Sequence, residues 1–138
     1  MPLRIRRLLG LDPMPTLIKS IVLPLAWTIC VFYLLSFDTS GVDGLTSIWK
    51  IYGIDKPIHF GIFFLLAYLW THWLVQRFNR STSKILFTLI AACSLFGMGM
   101  EYYQLYFTNR SFSYWDGVAD AIGSVAGCWM AIKKPLWK

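Results

Sequence analysis

Residues 18–37, 57–75, 86–107 and 117–132 form four stretches apolar enough to span or nearly span a bilayer. A helical crossing takes about 20 mostly apolar residues. This pattern constrains the fold more than any other feature, because backbone polar groups in hydrocarbon must be satisfied within the segment and such stretches are therefore helical. The four windows take up more than half of the 138 residues and leave no room for a separate soluble domain. The expectation is an all-α chain: a single domain over residues 1–138, built as an integral membrane bundle of about four transmembrane helices. Composition agrees, with 57% of residues hydrophobic and 14% charged.

The first window follows a basic lead of Arg4, Arg6 and Arg7, as a secretory signal would. Its apolar run exceeds the roughly 7–15 residues of a signal-peptide core, and no small-x-small cleavage site before a polar start follows it. A retained anchor is expected. The three cysteines, Cys30, Cys93 and Cys128, all lie inside apolar windows. Their spacing matches neither a metal site nor a disulfide framework, so they read as small hydrophobic residues in helices.

Charge sets the orientation. With four helices both termini share a side, and Arg4, Arg6, Arg7, Lys19, Arg77, Arg80, Lys84, Lys133, Lys134 and Lys138 fall there, ten of the 13 basic residues. Lys50, Lys56 and Arg110 remain opposite. The positive-inside rule then places both termini and the 77–84 loop in the cytoplasm. The net charge of +6 is explained by topology anchors, with anionic lipid head groups as their partners and without nucleic acid. Six of the seven acidic residues, all but Asp12, lie on the outer side or at its boundary.

Three polar clusters meet at that outer boundary. Asp55, Lys56 and His59 stand where the second helix enters. Asp55 is expected to cap that helix, with Pro57 in its first turn, where a missing N–H costs nothing. Asp55 and His59 are i and i+4, within touching distance. Glu101 and Gln104 end the third helix, after residues 85–100 that carry no charge at all. An ionised carboxylate there is expensive unless paired, and Arg110, the nearest basic residue in sequence, is its expected partner. Asp116, Asp120, Gly123 and Gly127 form one stripe on the fourth helix. The spacing of Gly123 and Gly127 allows close approach of another helix, within the chain or in a homo-oligomer. Gly97 and Gly99 read as packing residues of the third helix. Tyr102, Tyr103 and Tyr106 read as an aromatic belt, and His72 as an interfacial residue away from the cluster.

The order Asp55-Lys56-x-x-His59-Phe60, Glu101-x-x-Gln104, Arg110 and Asp116-x-x-x-Asp120-x-x-Gly123 resembles the VanZ-like membrane protein family over roughly residues 20–132. The sequence departs from the family pattern at Asp120, where asparagine is common. The resemblance implies a small multi-pass protein of the bacterial inner membrane, with some relatives associated with resistance to glycopeptide antibiotics such as teicoplanin. It implies no particular reaction.

The residues themselves leave two classes of function open. In the first, the outer site binds or acts on a cell-envelope lipid intermediate or a glycopeptide-related ligand. His59, oriented by Asp55, is then a general base or nucleophile, and Glu101 is an acid/base. Lys56, Gln104, Arg110, Asp116 and Asp120 complete the ligand-binding set. A metal-assisted variant uses His59, Glu101, Asp116 and Asp120, but no spacing is diagnostic of a metal, and neither a metal nor another cofactor is expected. In the second class, the same residues are a structural salt-bridge network.

Overall fold

The computed structural model describes residues 14–37, 53–78, 82–108 and 110–133. Arg4, Arg6, Arg7, Arg80, Lys134 and Lys138, which carry most of the orientation argument, lie outside the described residues, as do Asp12, Asp38, Asp43 and Lys50. Among the described residues the chain is all-helical, without strands: α1 (Met14–Ser36), α2 (Asp55–Arg77), α3 (Thr82–Phe107) and α4 (Tyr114–Lys133). The helices coincide with the four apolar windows and extend past most of their ends. Two of them, over Asp55–Val75 and Thr82–Phe107, are long and apolar enough to cross a membrane; α1 contributes a shorter apolar stretch, Ile21–Ser36.

The closest packing is between α2 and α4, with α3 lying against both and α1 against α2 and α3. Glycine explains the α2–α4 approach. A Cβ on Gly123 would collide with the backbone carbonyl of Phe60, and one on Gly127 with the carbonyl of Phe64. The small-residue stripe of α4 is thus occupied within the chain by the backbone of α2. Behind this seam Val31, Leu35, Phe63, Leu66, Ala67, Cys93, Met100 and Cys128 form the apolar core. Hydrogen bonds tie α1 in: the indole N–H of Trp27 donates to the carbonyl of Ile62 (3.2 Å), and that of Trp70 to Thr28 Oγ1 (2.9 Å). Cys93 and Cys128 are buried and Cys30 is exposed; all three are free thiols.

The distribution of polarity is inverted relative to a water-soluble bundle. His59, Thr71, His72, Glu101, Gln104, Asp116, Asp120 and Ser124 are buried, while Ile29, Phe87, Leu95, Tyr106, Phe107, Trp115 and Trp129 are more than half exposed. Exposure of so many large apolar side chains fits contact with a membrane or a protein partner.

Candidate functional site

The start of α2, the end of α3 and the start of α4 come together at one end of the bundle, and this gathers the three polar clusters. Gly53, with φ +61, turns the chain into α2. Helix α2 is preceded by Ile54, itself in helical conformation and without a side-chain capping bond. Asp55 is therefore the first helical residue and not the cap expected from the sequence. Its carboxylate faces a different partner: one guanidinium nitrogen of Arg110 donates to both oxygens, Oδ1 at 3.1 Å and Oδ2 at 3.3 Å. Arg110 thus pairs with Asp55 and not with Glu101, because the loop after α3 carries its side chain across to the start of α2.

Glu101 finds a backbone partner instead. The Ser113 N–H donates to Glu101 Oε2 (3.0 Å), while Oε1 is buried without a hydrogen-bond partner among the described residues. Ser113 also receives the Asp116 N–H on its hydroxyl (3.4 Å), the geometry of a helix N-cap. Ser113-Tyr114-Trp115-Asp116 has the form of a capping box, in which the acidic residue would reach back to the serine N–H. Glu101 takes that N–H here, so the Asp116 carboxylate is left to face α2. The sequence reading missed Ser113, although the Ser-x-x-Asp spacing ahead of an apolar helix was a usable signal.

Asp116 and Asp120 both point inward, 4% and 1% exposed. Asp116 Oδ1 lies 4.0 Å from the ammonium of Lys56, whose side chain is half exposed. Asp120 Oδ1 accepts from His59 Nδ1 at 2.9 Å, with both side chains almost fully buried. The expected orienting residue for His59 was Asp55, which instead lies 4.0 Å from Nε2, on the other edge of the ring. Gly97 of α3 makes room for the Asp120 carboxylate: a Cβ there would stand 2.5 Å from Oδ2. Gln104 turns away from the acids and donates to the Leu35 carbonyl (2.8 Å), strapping α3 to the last turn of α1.

A cavity of about 280 Å³ opens over this arrangement, lined by Gly53, Asp55, Lys56, Arg110, Ser111, Ser113 and Asp116. Two acids and two bases share its wall. One donor atom each from Asp55, His59 and Asp116 lies within 4.8 Å of the others, a grouping able to hold a metal ion. The metal-assisted set expected from the sequence named Glu101 and Asp120 in place of Asp55. In the structure Glu101 is engaged by Ser113, and Asp120 stands behind the imidazole. Phe112, between the cavity-lining Ser111 and Ser113, joins Tyr102 and Tyr114 in an aromatic chain, with ring centroids 5.2 and 4.7 Å apart. His72 is remote in sequence from this end and is buried in α2.

Comparison with known protein families finds no match, and no solved structure matches the chain. A stretch of 70 residues, 50% of the chain, is 34% identical to an uncharacterized protein of Schizosaccharomyces pombe. That stretch covers 41% of the relative, so the chain corresponds to less than half of the fungal protein's length.

Proposed function

We propose that this chain is a VanZ-like membrane protein with four transmembrane helices, whose polar cavity lies at the outer membrane–water boundary and binds the phosphate-bearing head group of an envelope lipid. The observation that carries this reading is the cavity with Lys56 and Arg110 on its wall, set at the end of a bundle that buries its polar residues and exposes its apolar ones. The inverted polarity supports immersion in lipid. Exposed Tyr102, Tyr106, Trp115 and Tyr114 near the cavity are of the kind that collects at head-group depth. Among the described residues Lys19, Arg77, Lys84 and Lys133 lie toward the opposite helix ends. With the basic residues of the flanking sequence counted on the same side, the positive-inside rule supports both termini in the cytoplasm, and the bacterial inner membrane is the location we assign.

Lys56, half exposed and only 4.0 Å from Asp116, can swing onto a phosphate oxygen, and Arg110 offers further N–H groups beyond the one that holds Asp55. Ser111 and Ser113 line the same wall. His59 and Asp116 stand behind it as the groups able to move a proton if the bound head group is also processed. A role toward glycopeptides rests on the resemblance alone. A second reading, a purely structural network, draws on the Gln104–Leu35 and His59–Asp120 bonds, which join helices and need no ligand.

The test is lipid capture by the full chain purified from phospholipid bilayers into a phosphate-free detergent. Retained phospholipid would be quantified by mass spectrometry for the wild type, Lys56→Gln and Arg110→Gln. Loss of a charge-assisted phosphate contact, worth about 1.5–3 kcal/mol, predicts roughly tenfold or greater weakening in each folded variant. Unchanged capture in both variants would leave the structural network as the correct reading.

A further inference from the structure

We infer that Asp55, His59 and Asp116 form a site for a divalent transition-metal cation at the base of the boundary cavity. The first ground is convergence: one donor atom from each residue lies within 4.8 Å of the other two, and His59 Nε2 lies 4.0 Å from Asp55 Oδ1. The second ground is independent of the acidic cluster. His59 Nδ1 sits 2.9 Å from the buried Asp120 Oδ1; with Asp120 ionised that oxygen can only accept, which makes Nδ1 the donor. In the neutral ring the lone pair then lies on Nε2. That atom is buried without a hydrogen-bond partner among the described residues, and so is Asp116 Oδ1. The His59 side chain is 2% exposed and that of Asp116 5%, so neither atom is served by bulk solvent.

His59 Nε2 and Asp116 Oδ1 therefore face the Asp55 carboxylate with no hydrogen-bond donor on either of them among the described residues, an arrangement that a bound cation would satisfy. Lys56 and Arg110 balance the two carboxylates from the rim without reaching these two atoms: the Lys56 ammonium is 4.0 Å from Asp116 on a half-exposed side chain, and Arg110 holds the oxygens of Asp55. The Asp120–His59–Nε2 alignment is also what metal sites use behind the ligand: a carboxylate accepts the second ring N–H, fixing the tautomer and raising the basicity of the ligating nitrogen. One imidazole and two carboxylates suit a borderline cation such as Zn²⁺. Donors on tetrahedral zinc stand roughly 3.4 Å apart, so from 4.8 Å the widest pair must draw in by no more than about 1.4 Å, within reach of side-chain rotation.

Three protein ligands leave a coordination position open toward the cavity. The cavity's charged side chains, Asp55 and Asp116 against Lys56 and Arg110, sum to zero when all are ionised. A divalent cation turns that balance to +2 and makes the cavity attractive to a phosphate oxygen. In this respect the inference rests on the lipid reading and deepens it; the metal site itself is tested without lipid.

The full chain, purified in a phosphate-free detergent and stripped with chelator, would be titrated with Zn²⁺ alone, and retained zinc measured by elemental analysis after desalting. One equivalent per chain is expected. Asp116→Asn and Asp55→Asn, which preserve size, should weaken binding at least about tenfold. Asp120→Asn, which touches no metal, should weaken it by about 10–100-fold through His59. Thermal unfolding of each variant without zinc identifies those that fold. A folded wild-type chain that retains no zinc overturns the site and assigns the positive charge to a proton on His59. Zinc retained undiminished by the Asp55→Asn/Asp116→Asn double variant overturns it equally, since the ion is then held elsewhere. If zinc binds as expected while phospholipid capture fails, the lipid reading falls and the metal site stands.

Discussion

Gly97→Ala is the sharpest probe of the buried polar network, because a single methyl group is directed at one carboxylate. A Cβ at position 97 would lie 2.5 Å from Asp120 Oδ2 and 3.1 Å from both Asp120 Cβ and Cγ, against an ordinary contact of at least 3.4 Å. The carboxylate must retreat by about 0.9 Å, the difference between 3.4 and 2.5 Å. The other oxygen of the same carboxylate accepts the His59 bond at 2.9 Å, and a retreat of that size strains or breaks it. A buried hydrogen bond to a charged group is worth about 1.5–3 kcal/mol. Gly99, two residues away on the same helix, has nothing within 4 Å of its Cβ position and serves as the control. Alanine gains about 1 kcal/mol over glycine in helix propensity at both sites, so that contribution cancels in the comparison. Gly97→Ala should unfold below Gly99→Ala by about 1.5–3 kcal/mol, or roughly 5–10 °C for a chain of this length. Thermal unfolding in detergent, followed by tryptophan fluorescence and size-exclusion recovery, measures the gap. In an Asp120→Ala background the gap should collapse. Equal midpoints for the two alanine variants would refute the packing of Asp120 against α3.

Gln104→Leu removes the donor to the Leu35 carbonyl, one of the unsatisfied carbonyls at the end of α1, and should cost about 1–2 kcal/mol in the same thermal assay; no change would mean that α1 is not strapped to α3. Gly127→Leu places a bulky side chain against the Phe64 backbone and should abolish the folded monomer. A folded variant with altered oligomeric state by light scattering would assign the glycine stripe to a contact between chains. Arg110→Lys keeps the charge but leaves one ammonium to replace both the nitrogen that holds Asp55 and the remaining guanidinium N–H groups. The pair is partly exposed, so a stability loss under about 1 kcal/mol is expected, while lipid capture falls. Topology reporters fused after Arg80 and after Thr108 should read cytoplasm and exterior respectively, and the reverse pattern would move the cavity to the inner face.

Much of the architecture was legible in the apolar windows, since a helix is a local structure and residues 57–75 or 86–107 need no distant partner to declare themselves. The meeting of the three clusters at one end was legible for the same reason: successive helices of similar length, joined by short loops, return the ends of α2, α3 and α4 to one level. The pairings were not. Arg110 is nine residues from Glu101 and 55 from Asp55, yet it bonds Asp55. Sequence distance ranks partners by proximity along the chain, whereas the rotation of each helix about its axis decides which side chains face. The same rotation gave His59 to Asp120, 61 residues away, in place of its neighbour on the helix.

By itself the sequence determined that this chain forms apolar helices with its ionisable residues confined to their ends, because hydrophobic periodicity and backbone hydrogen bonding are satisfied within each segment. Only the tertiary structure decided what those residues do for one another. Gly123 and Gly127 bring the α2 backbone against α4, and that approach, set by the absence of two side chains, places Asp120 behind the imidazole of His59. Helix α4's start sets Asp116 in front of it. The Ser113 N–H draws Glu101 aside from the same cluster. Such placements depend on contacts among helices, at distances of a few ångströms, that no single segment encodes.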